Sequence, residues 1–348
     1  MTDRARGTTL RPSVLLGAVL TVVVVSLLGL TIGPTSISPF DALREVGSHL
    51  PLLHIRSPLA PTQAAIVWDL RFPRVVLALV VGGMLALCGG SYQGVFRNPL
   101  ADPYLLGVAA GAGFGATLAI VAGLHSSGTT SDLIPLAAFA GALAAVAITY
   151  AVGATGDRRR SSVSLLLAGV AITSLLTAMQ TFVQQRETDT IREVYSWILG
   201  RLTTAGWHDV VLVLPYAVVS SAVLLAHRRT LDVLSVGDDE AASLGLHTTR
   251  VRAIVVVAAS LGTAAAVSVS GLIGFVGIIV PHTIRLLGGA SYRVILPLSL
   301  LLGGAFLVGA DIVARTALAP AEVPIGVITA FFGAPFFILV LRTRRMLA

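Results

Sequence analysis

Charged side chains are scarce in this sequence, and lysine is absent altogether. Only 12% of the 348 residues are charged, whereas 55% are hydrophobic. A soluble globular domain carries about 25% charged residues. Composition therefore excludes a disordered chain, a coiled coil and an ordinary soluble enzyme, and it predicts an all-α polytopic membrane protein.

The missing lysine also excludes several kinds of chemistry. All 24 basic residues are arginines, so the chain has neither the phosphate-binding lysine of a P-loop nor a Schiff-base lysine. Any ATP that drives this protein must be hydrolysed by another chain. The single cysteine, Cys88, lies within an apolar run, which excludes a disulfide framework and a cysteine metal site. We expect neither an enzyme activity nor a cofactor bound by this chain.

Apolar runs separated by Gly, Pro and charged residues predict ten transmembrane helices of about 20 residues each. In chain order the runs are Val14–Ile32, Val75–Tyr92, Leu105–Leu124, Ile134–Val152, Leu165–Val183, Val210–Ala226, Ala253–Val269, Leu272–Leu287, Val294–Ile312 and Val323–Leu341. The first run follows three arginines, as a signal peptide would, but its length of about 19 residues indicates a retained span. We interpret residues 1–348 as one transmembrane domain with an N-terminal tail over residues 1–13.

Arginine placement predicts the orientation of these helices. If the N-terminus is cytoplasmic, sixteen arginines flank the inner ends of the runs and eight flank the outer ends. This is the asymmetry that the positive-inside rule describes, so both termini are predicted to be cytoplasmic. The arginines form no basic face with interleaved aromatics, and nucleic acid is therefore not an expected partner.

Two stretches rich in Gly and Pro interrupt the apolar pattern. Their characteristic residues are Asn98, Pro99 and Asp102 in the first and Gly271, Gly274 and Pro281 in the second. Such breaks leave backbone N–H and C=O groups without helical hydrogen bonds. In a membrane these groups are tolerated only where they contact protein or a water-filled cavity. Breaks at matching places in two halves indicate a transport pathway between inverted repeats. The alternative is a pair of kinks that only help packing.

Several separate blocks of the sequence are distinctive. They read RFPR at 71–74, QGVFRNPLADPYLLG at 93–107, SGLIGFVGIIVPH at 270–282, ADIVAR at 310–315, EVPIGV at 322–327 and GAPFF at 333–337. These blocks resemble the iron-siderophore, haem and cobalamin permease family of bacterial ABC importers. The resemblance runs from the second predicted helix to the C-terminus, and a match in several blocks is far more specific than one short motif.

The resemblance implies a ten-helix permease with inverted-repeat halves, the type II ABC importer fold, in the cytoplasmic membrane of a bacterium. Its implied partners are a second permease subunit, identical or paralogous, two ATPase subunits that carry ATP and Mg, an extracytoplasmic binding protein and membrane lipid. The implied cargo is an iron chelate. Ferric siderophore is expected on the breadth of the family, with haem and cobalamin as alternatives.

In the family, a cytoplasmic loop, here about residues 228–252, contains the helix that docks on the ATPase. The matching residues are Gly237, Asp238, Asp239, Glu240, Ala241, Leu244, Gly245 and Leu246. The residues themselves predict a short helix with Ser235 as N-cap, acids in its first turn and Gly245 as its stop. A solvated surface turn is the alternative.

Two further groups take their roles from the resemblance. Arginines matching Arg71, Arg74 and Arg315 dock glutamates of the binding protein, although lipid anchoring would also suit outer helix ends. The start of the fifth helix belongs to a cytoplasmic gate of small polar residues, here Ser161, Ser162, Val163 and Ser164. Val163 stands where a hydroxyl is expected. Arg201 stands where the family commonly has a small residue, so it favours an anionic chelate or anchors the chain in lipid.

The acids nearest the membrane are Asp102, Asp311 and Glu322, each beside a break or a helix end. Local pairing explains them more simply than a proton relay. No cluster of His, Cys and carboxylates has the spacing of metal ligands, so the cargo is expected to be a metal already held by an organic ligand. The rival interpretation is an ion-coupled secondary transporter in which Asp102 or Asp311 is the relay.

Overall fold

The computed structural model describes residues 10–33, 35–49, 56–124, 133–153, 162–203 and 205–345, and these are almost entirely helical. The helices are α1 (Pro12–Thr31), α2 (Pro39–Ser48), α3 (Pro61–Ala65), α4 (Phe72–Val95), α5 (Val108–Val121), α6 (Leu133–Gly153), α7 (Ser162–Arg186), α8 (Ile191–Ile198), α9 (Trp207–Ala226), α10 (Arg228–Leu234), α11 (Asp238–Ser243), α12 (Thr248–Ser270), α13 (Val276–Gly288), α14 (Tyr292–Thr316) and α15 (Ile325–Arg345). A π-helical stretch, Ile66–Arg71, joins α3 to α4, and a 3₁₀ turn, Thr188–Thr190, precedes α8.

Each of the ten predicted runs coincides with one of these helices. Seven helical segments are long and apolar enough to cross a membrane, and α5, α13 and the apolar part of α15 are shorter apolar helices. The 13 residues of α13 extend about 20 Å, less than the roughly 30 Å of a hydrocarbon core. The number of crossings therefore stays a prediction, because α13 is too short to span the membrane as a straight helix.

The centre of the bundle is α4, which is buried along most of its length. It packs against α14, α12, α13 and α9. Glycines make these contacts close: Gly82 faces the backbone of Gly303, and Gly89 faces Gly277. Small residues allow this close packing, which stabilises helix association in lipid because the hydrophobic effect does not act there.

Sequence patterning missed the short helices α2, α3, α8 and α10. These are too short or too polar to register as apolar runs of about 20 residues. It also placed the start of the second span at Val75, whereas the helix is continuous from Pro61 to Val95 through the π-helical stretch. Arg71 closes that stretch, and its position there decides the contacts described below.

Candidate functional site

The two predicted breaks are present, and they contact each other. The chain is irregular from 96 to 107 and again from 271 to 275. The Tyr104 hydroxyl donates to the Ile273 carbonyl at 2.9 Å and accepts from the Ile273 amide at 3.1 Å. A Cβ placed on Gly277 would overlap the Pro103 ring. The backbone amide and carbonyl of Ile273 in the second break are thus satisfied by a side chain of the first, as burial in a membrane requires.

Residues of the first break shape that segment locally. The Asn98 side chain accepts from the Leu100 amide at 3.0 Å, and the Asp102 carboxylate accepts from the Tyr104 amide at 2.7 Å. These hydrogen bonds form Asx-turns, which stabilise the conformation of the loop where no helix is present.

Residues of the second break are placed by packing. Gly271 has a φ of +69°, and a Cβ there would overlap the Trp197 carbonyl, so only glycine fits. Gly274 faces open space. Pro281 is buried within α13. A pathway-lining role for these residues stays a prediction.

The predicted gate segment is described only in part. Ser161 lies outside the described residues, and only the helical backbone of Ser162 is described. Val163 and Ser164 are exposed in the first turn of α7. Their gating role stays a prediction.

The three predicted docking arginines come together but are not exposed charges. Arg71, Arg74 and Arg315 are 6%, 9% and 7% exposed. Within this single chain the three side chains are buried, and their role in docking the binding protein stays a prediction. The three arginines stand at helix ends, as the sequence predicts, but their side chains pack against other helices rather than facing solvent.

Arg74 and Arg315 are held by two carboxylates. Arg74 Nη2 lies 2.7 Å from Asp311 Oδ1 and 2.8 Å from Glu322 Oε2, and Arg315 Nε lies 3.1 Å from Asp311 Oδ2. The local pairing expected for Asp311 and Glu322 is therefore what the structure shows. It joins α4, α14 and the segment before α15.

Arg71 instead caps the end of α1. Its guanidinium donates to the carbonyls of Leu30, Thr31 and Thr35 at 2.8, 3.1 and 2.6 Å. Arg315 adds a bond of 3.1 Å to the Gly29 carbonyl. Carbonyls at a helix C-terminus lack intrahelical donors and carry partial negative charge, so a cation satisfies them well. We call Arg71, Arg74, Arg315, Asp311 and Glu322 the arginine cluster.

The predicted coupling helix is present as α11, with one correction at its start. Gly237, at a φ of +151°, is the N-cap, whereas Ser235 closes the preceding α10 and donates to the Asp232 carbonyl at 2.6 Å. The pattern missed α10, so it assigned the serine to the wrong helix. The stop at Gly245 is confirmed by its φ of +82°.

The C-terminus of α11 has the hydrogen bonds of a Schellman motif. The Gly245 amide donates to the Ala242 carbonyl at 2.9 Å, and the Leu246 amide donates to the Ala241 carbonyl at 3.0 Å. This geometry turns Leu244 outward, where it is 71% exposed, while Ala241 is buried. Leu246 is half-buried against the core, so only Leu244 of the two leucines is free to contact a partner.

Ion pairs connect α11 to the rest of the bundle. Asp238 lies 3.0 Å from Arg252 of α12 and 3.6 Å from Arg97 in the first break. Asp239 and Glu240 are exposed. The N-terminus of α11 is thus held by ion pairs, whereas Asp239, Glu240 and Leu244 on its other side are exposed.

Among the described residues, no group of three or more His, Cys, Asp or Glu side chains could hold a metal ion. The features that remain are a tightly packed apolar bundle, two broken segments in contact within it, and a capped helix held outside it. Together they define a polytopic membrane permease. The chain belongs to the FecCD transport family, whose family model matches residues 20–343.

Known relatives and a solved structure agree with this family. The cobalamin import system permease protein BtuC of Halobacterium salinarum is 47% identical over 287 residues, which is 82% of this chain and 76% of the relative. The hemin transport system permease protein HmuU of Yersinia pestis is 36% identical over 344 residues, covering 96% and 97%. An inward-facing structure assigned to a metal-chelate type ABC transporter has a TM-score of 0.83 at 30% identity and covers 96% of this chain and 100% of its own.

These comparisons confirm the resemblance seen in the sequence. The chain is a permease subunit of an ABC importer, and such subunits are not enzymes. The rival interpretation, an ion-coupled secondary transporter, is wrong. Local pairing of Asp311, rather than a relay role, is consistent with that outcome.

Proposed function

We propose that this chain forms half of a pathway that carries organic metal chelates into the cell, with both termini in the cytoplasm. The observation that carries the proposal is the contact between the two breaks, where Tyr104 satisfies the backbone of Ile273 inside an apolar bundle. A pair of broken segments in corresponding parts of two halves is typical of a transport pathway. A second permease subunit, two ATPase subunits and an extracytoplasmic binding protein complete the proposed importer.

The proposed cargo is a chemical class rather than one compound. The names of the relatives include cobalamin and hemin, and the solved structure is assigned to a metal-chelate transporter. In each, an organic ligand surrounds the metal. Ferric siderophore, the cargo expected from the sequence, belongs to the same class, and the proposal covers all three.

Transport by the reconstituted importer tests this function. Proteoliposomes with ATP inside should take up at least one of a ferric siderophore, hemin or cobalamin when the loaded binding protein is outside. Uptake should continue with a protonophore present, because ATP hydrolysis by the partner subunits supplies the energy. Uptake driven by a pH gradient without ATP would contradict the proposal.

Changing Leu244 to Asp should uncouple the permease from its ATPase. A carboxylate at this position would lose its hydration on entering an apolar groove of the partner, so docking would weaken. We expect at least a tenfold loss of ATP-driven uptake and loss of ATPase co-purification. Leu246 is unsuitable for this test, because it packs against the core.

Leu318→Asp is the matched control for this substitution. Leu318 is 66% exposed, similar to Leu244, but lies in the turn between α14 and α15. It should leave ATPase co-purification unchanged. Full co-purification and uptake with Leu244→Asp would show that α11 does not couple the two subunits.

A further inference from the structure

Arg201 is held at the second break by its own backbone. The helix α8 ends at Ile198, and Gly200 then takes a φ of +76°, which turns the chain sharply. The Arg201 amide donates to the carbonyl of Ser270, the last residue of α12, at 2.8 Å. Arg201 is therefore fixed beside the broken segment and does not belong to a free surface loop.

Three elements meet at this corner. A Cβ on Gly200 would lie 2.9 Å from the Leu272 carbonyl of the second break. The Gly326 amide, in the first turn of α15, donates to the Leu199 carbonyl at 3.0 Å. The backbone at Arg201 is thus positioned jointly by α8, by the second break and by α15.

The Arg201 side chain lines a cavity and has no carboxylate partner among the described residues. The cavity has a volume of about 120 Å³ and adjoins the arginine cluster. Its polar lining residues are Arg74, Ser196, Arg201, Thr203, Asp311 and Glu322. Because a water molecule accounts for roughly 30 Å³ of liquid, the cavity has room for a group the size of a carboxylate.

Both acids in the lining are already occupied. Asp311 pairs with Arg74 and Arg315, and Glu322 accepts from both terminal nitrogens of Arg74 at 3.1 and 2.8 Å. The arginine cluster and Arg201 together contain four arginines and two carboxylates, so their formal net charge is +2. Arg71 donates to backbone carbonyls, whereas among the described residues no ion pair occupies the Arg201 guanidinium.

We propose that Arg201 selects cargo bearing an anionic group, which enters this cavity and pairs with the Arg201 guanidinium as the chelate moves into the pathway. A planar guanidinium binds a carboxylate through two parallel hydrogen bonds, and the local positive charge attracts anions. The cargo would be a chelate with free carboxylates, such as a carboxylate-type ferric siderophore or haem with its propionates. This inference rests on the proposed function.

Uptake by the full importer tests the inference. The probes are a carboxylate ferric chelate and hemin, which are anionic, and a neutral ferric trihydroxamate and cyanocobalamin, which are not. At saturating loaded binding protein, Arg201→Gln should lower the turnover of an anionic cargo about tenfold or more. Arg201→Lys keeps the charge but loses the two parallel hydrogen bonds, so its turnover of an anionic cargo should lie between those of the wild type and of Arg201→Gln.

Arg192→Gln is the matched control, because Arg192 is an exposed arginine of α8 outside the cavity. It should transport every cargo at the wild-type rate. The affinity of the binding protein for each variant should equal that of the wild type, which separates cargo selection from docking.

Three results would overturn the selection role of Arg201. They are turnover of anionic cargo by Arg201→Gln at the wild-type rate, a loss of binding-protein affinity with turnover intact, and an unsubstituted importer that carries the neutral probes but not the anionic ones. In each of these the importer still moves a chelate, so the proposed function stands. If no chelate enters with ATP, the proposed function itself fails.

Discussion

Replacing Asp311 with alanine should remove most of the folded permease from the membrane. Asp311 is 1% exposed and pairs with both Arg74 and Arg315. Without it, two buried guanidinium groups lose a charged partner. Removing one member of a buried ion pair costs about 3–5 kcal/mol, because the remaining charge stays desolvated. The amount of monodisperse protein after detergent extraction, and its melting temperature, measure this loss.

The control for this substitution is Asp69→Ala. Asp69 is an exposed acid in the π-helical stretch that precedes α4, and it makes no ion pair among the described residues. It should extract and melt as the wild type does, since exposed charges contribute little. Glu322→Ala should have an intermediate effect, because the Glu322 side chain is 33% exposed. Wild-type stability of Asp311→Ala would mean that the arginine cluster is not a structural lock.

Gly303→Ala is expected to separate α14 from α4. A Cβ on Gly303 would overlap the Gly82 carbonyl and the Ala86 side chain, and backbone cannot move aside as a flexible side chain can. Overpacking of this kind costs about 1–3 kcal/mol or more. The contact between α4 and α14 is central to the bundle, so we expect a lower melting temperature and reduced transport.

The same helix offers a matched control in Gly309→Ala. A Cβ at Gly309 meets nothing within 4 Å. This substitution should be neutral or stabilise the helix by up to about 1 kcal/mol, because alanine is the better helix former. Equal melting temperatures for the two variants would show that the close approach at Gly303 does not hold the bundle together.

Burial of the arginine cluster changes how docking of the binding protein must be tested. Reversing Arg71, Arg74 and Arg315 together to Glu would place three buried carboxylates beside the buried Asp311 and the partly exposed Glu322. The fold would fail before any docking could be measured, so lost binding would not identify a docking residue. Docking tests therefore need exposed positions, with the folded fraction measured for each variant.

The sequence by itself determined the long apolar helices and the approximate positions of the two breaks between them. Ten apolar runs predicted ten helices because lipid leaves a backbone few ways to satisfy its hydrogen bonds other than a helix. Breaks were predicted at residues 98–103 and 271–281 because Gly and Pro act within a few residues of where they stand. The second break is shorter than predicted, because it ends at residue 275 and Pro281 lies within α13. Gly245 stops α11 for the same local reason.

Only the tertiary structure decided which residues meet. Arg74 and Asp311 are 237 positions apart, and no local pattern shows that the arginine turns inward to a carboxylate. The contact of Tyr104 with Ile273 likewise depends on how α4 and α13 pack. Burial, pairing and the cavity beside Arg201 arise from several helices at once, because a side chain's partners are set by packing of the whole bundle.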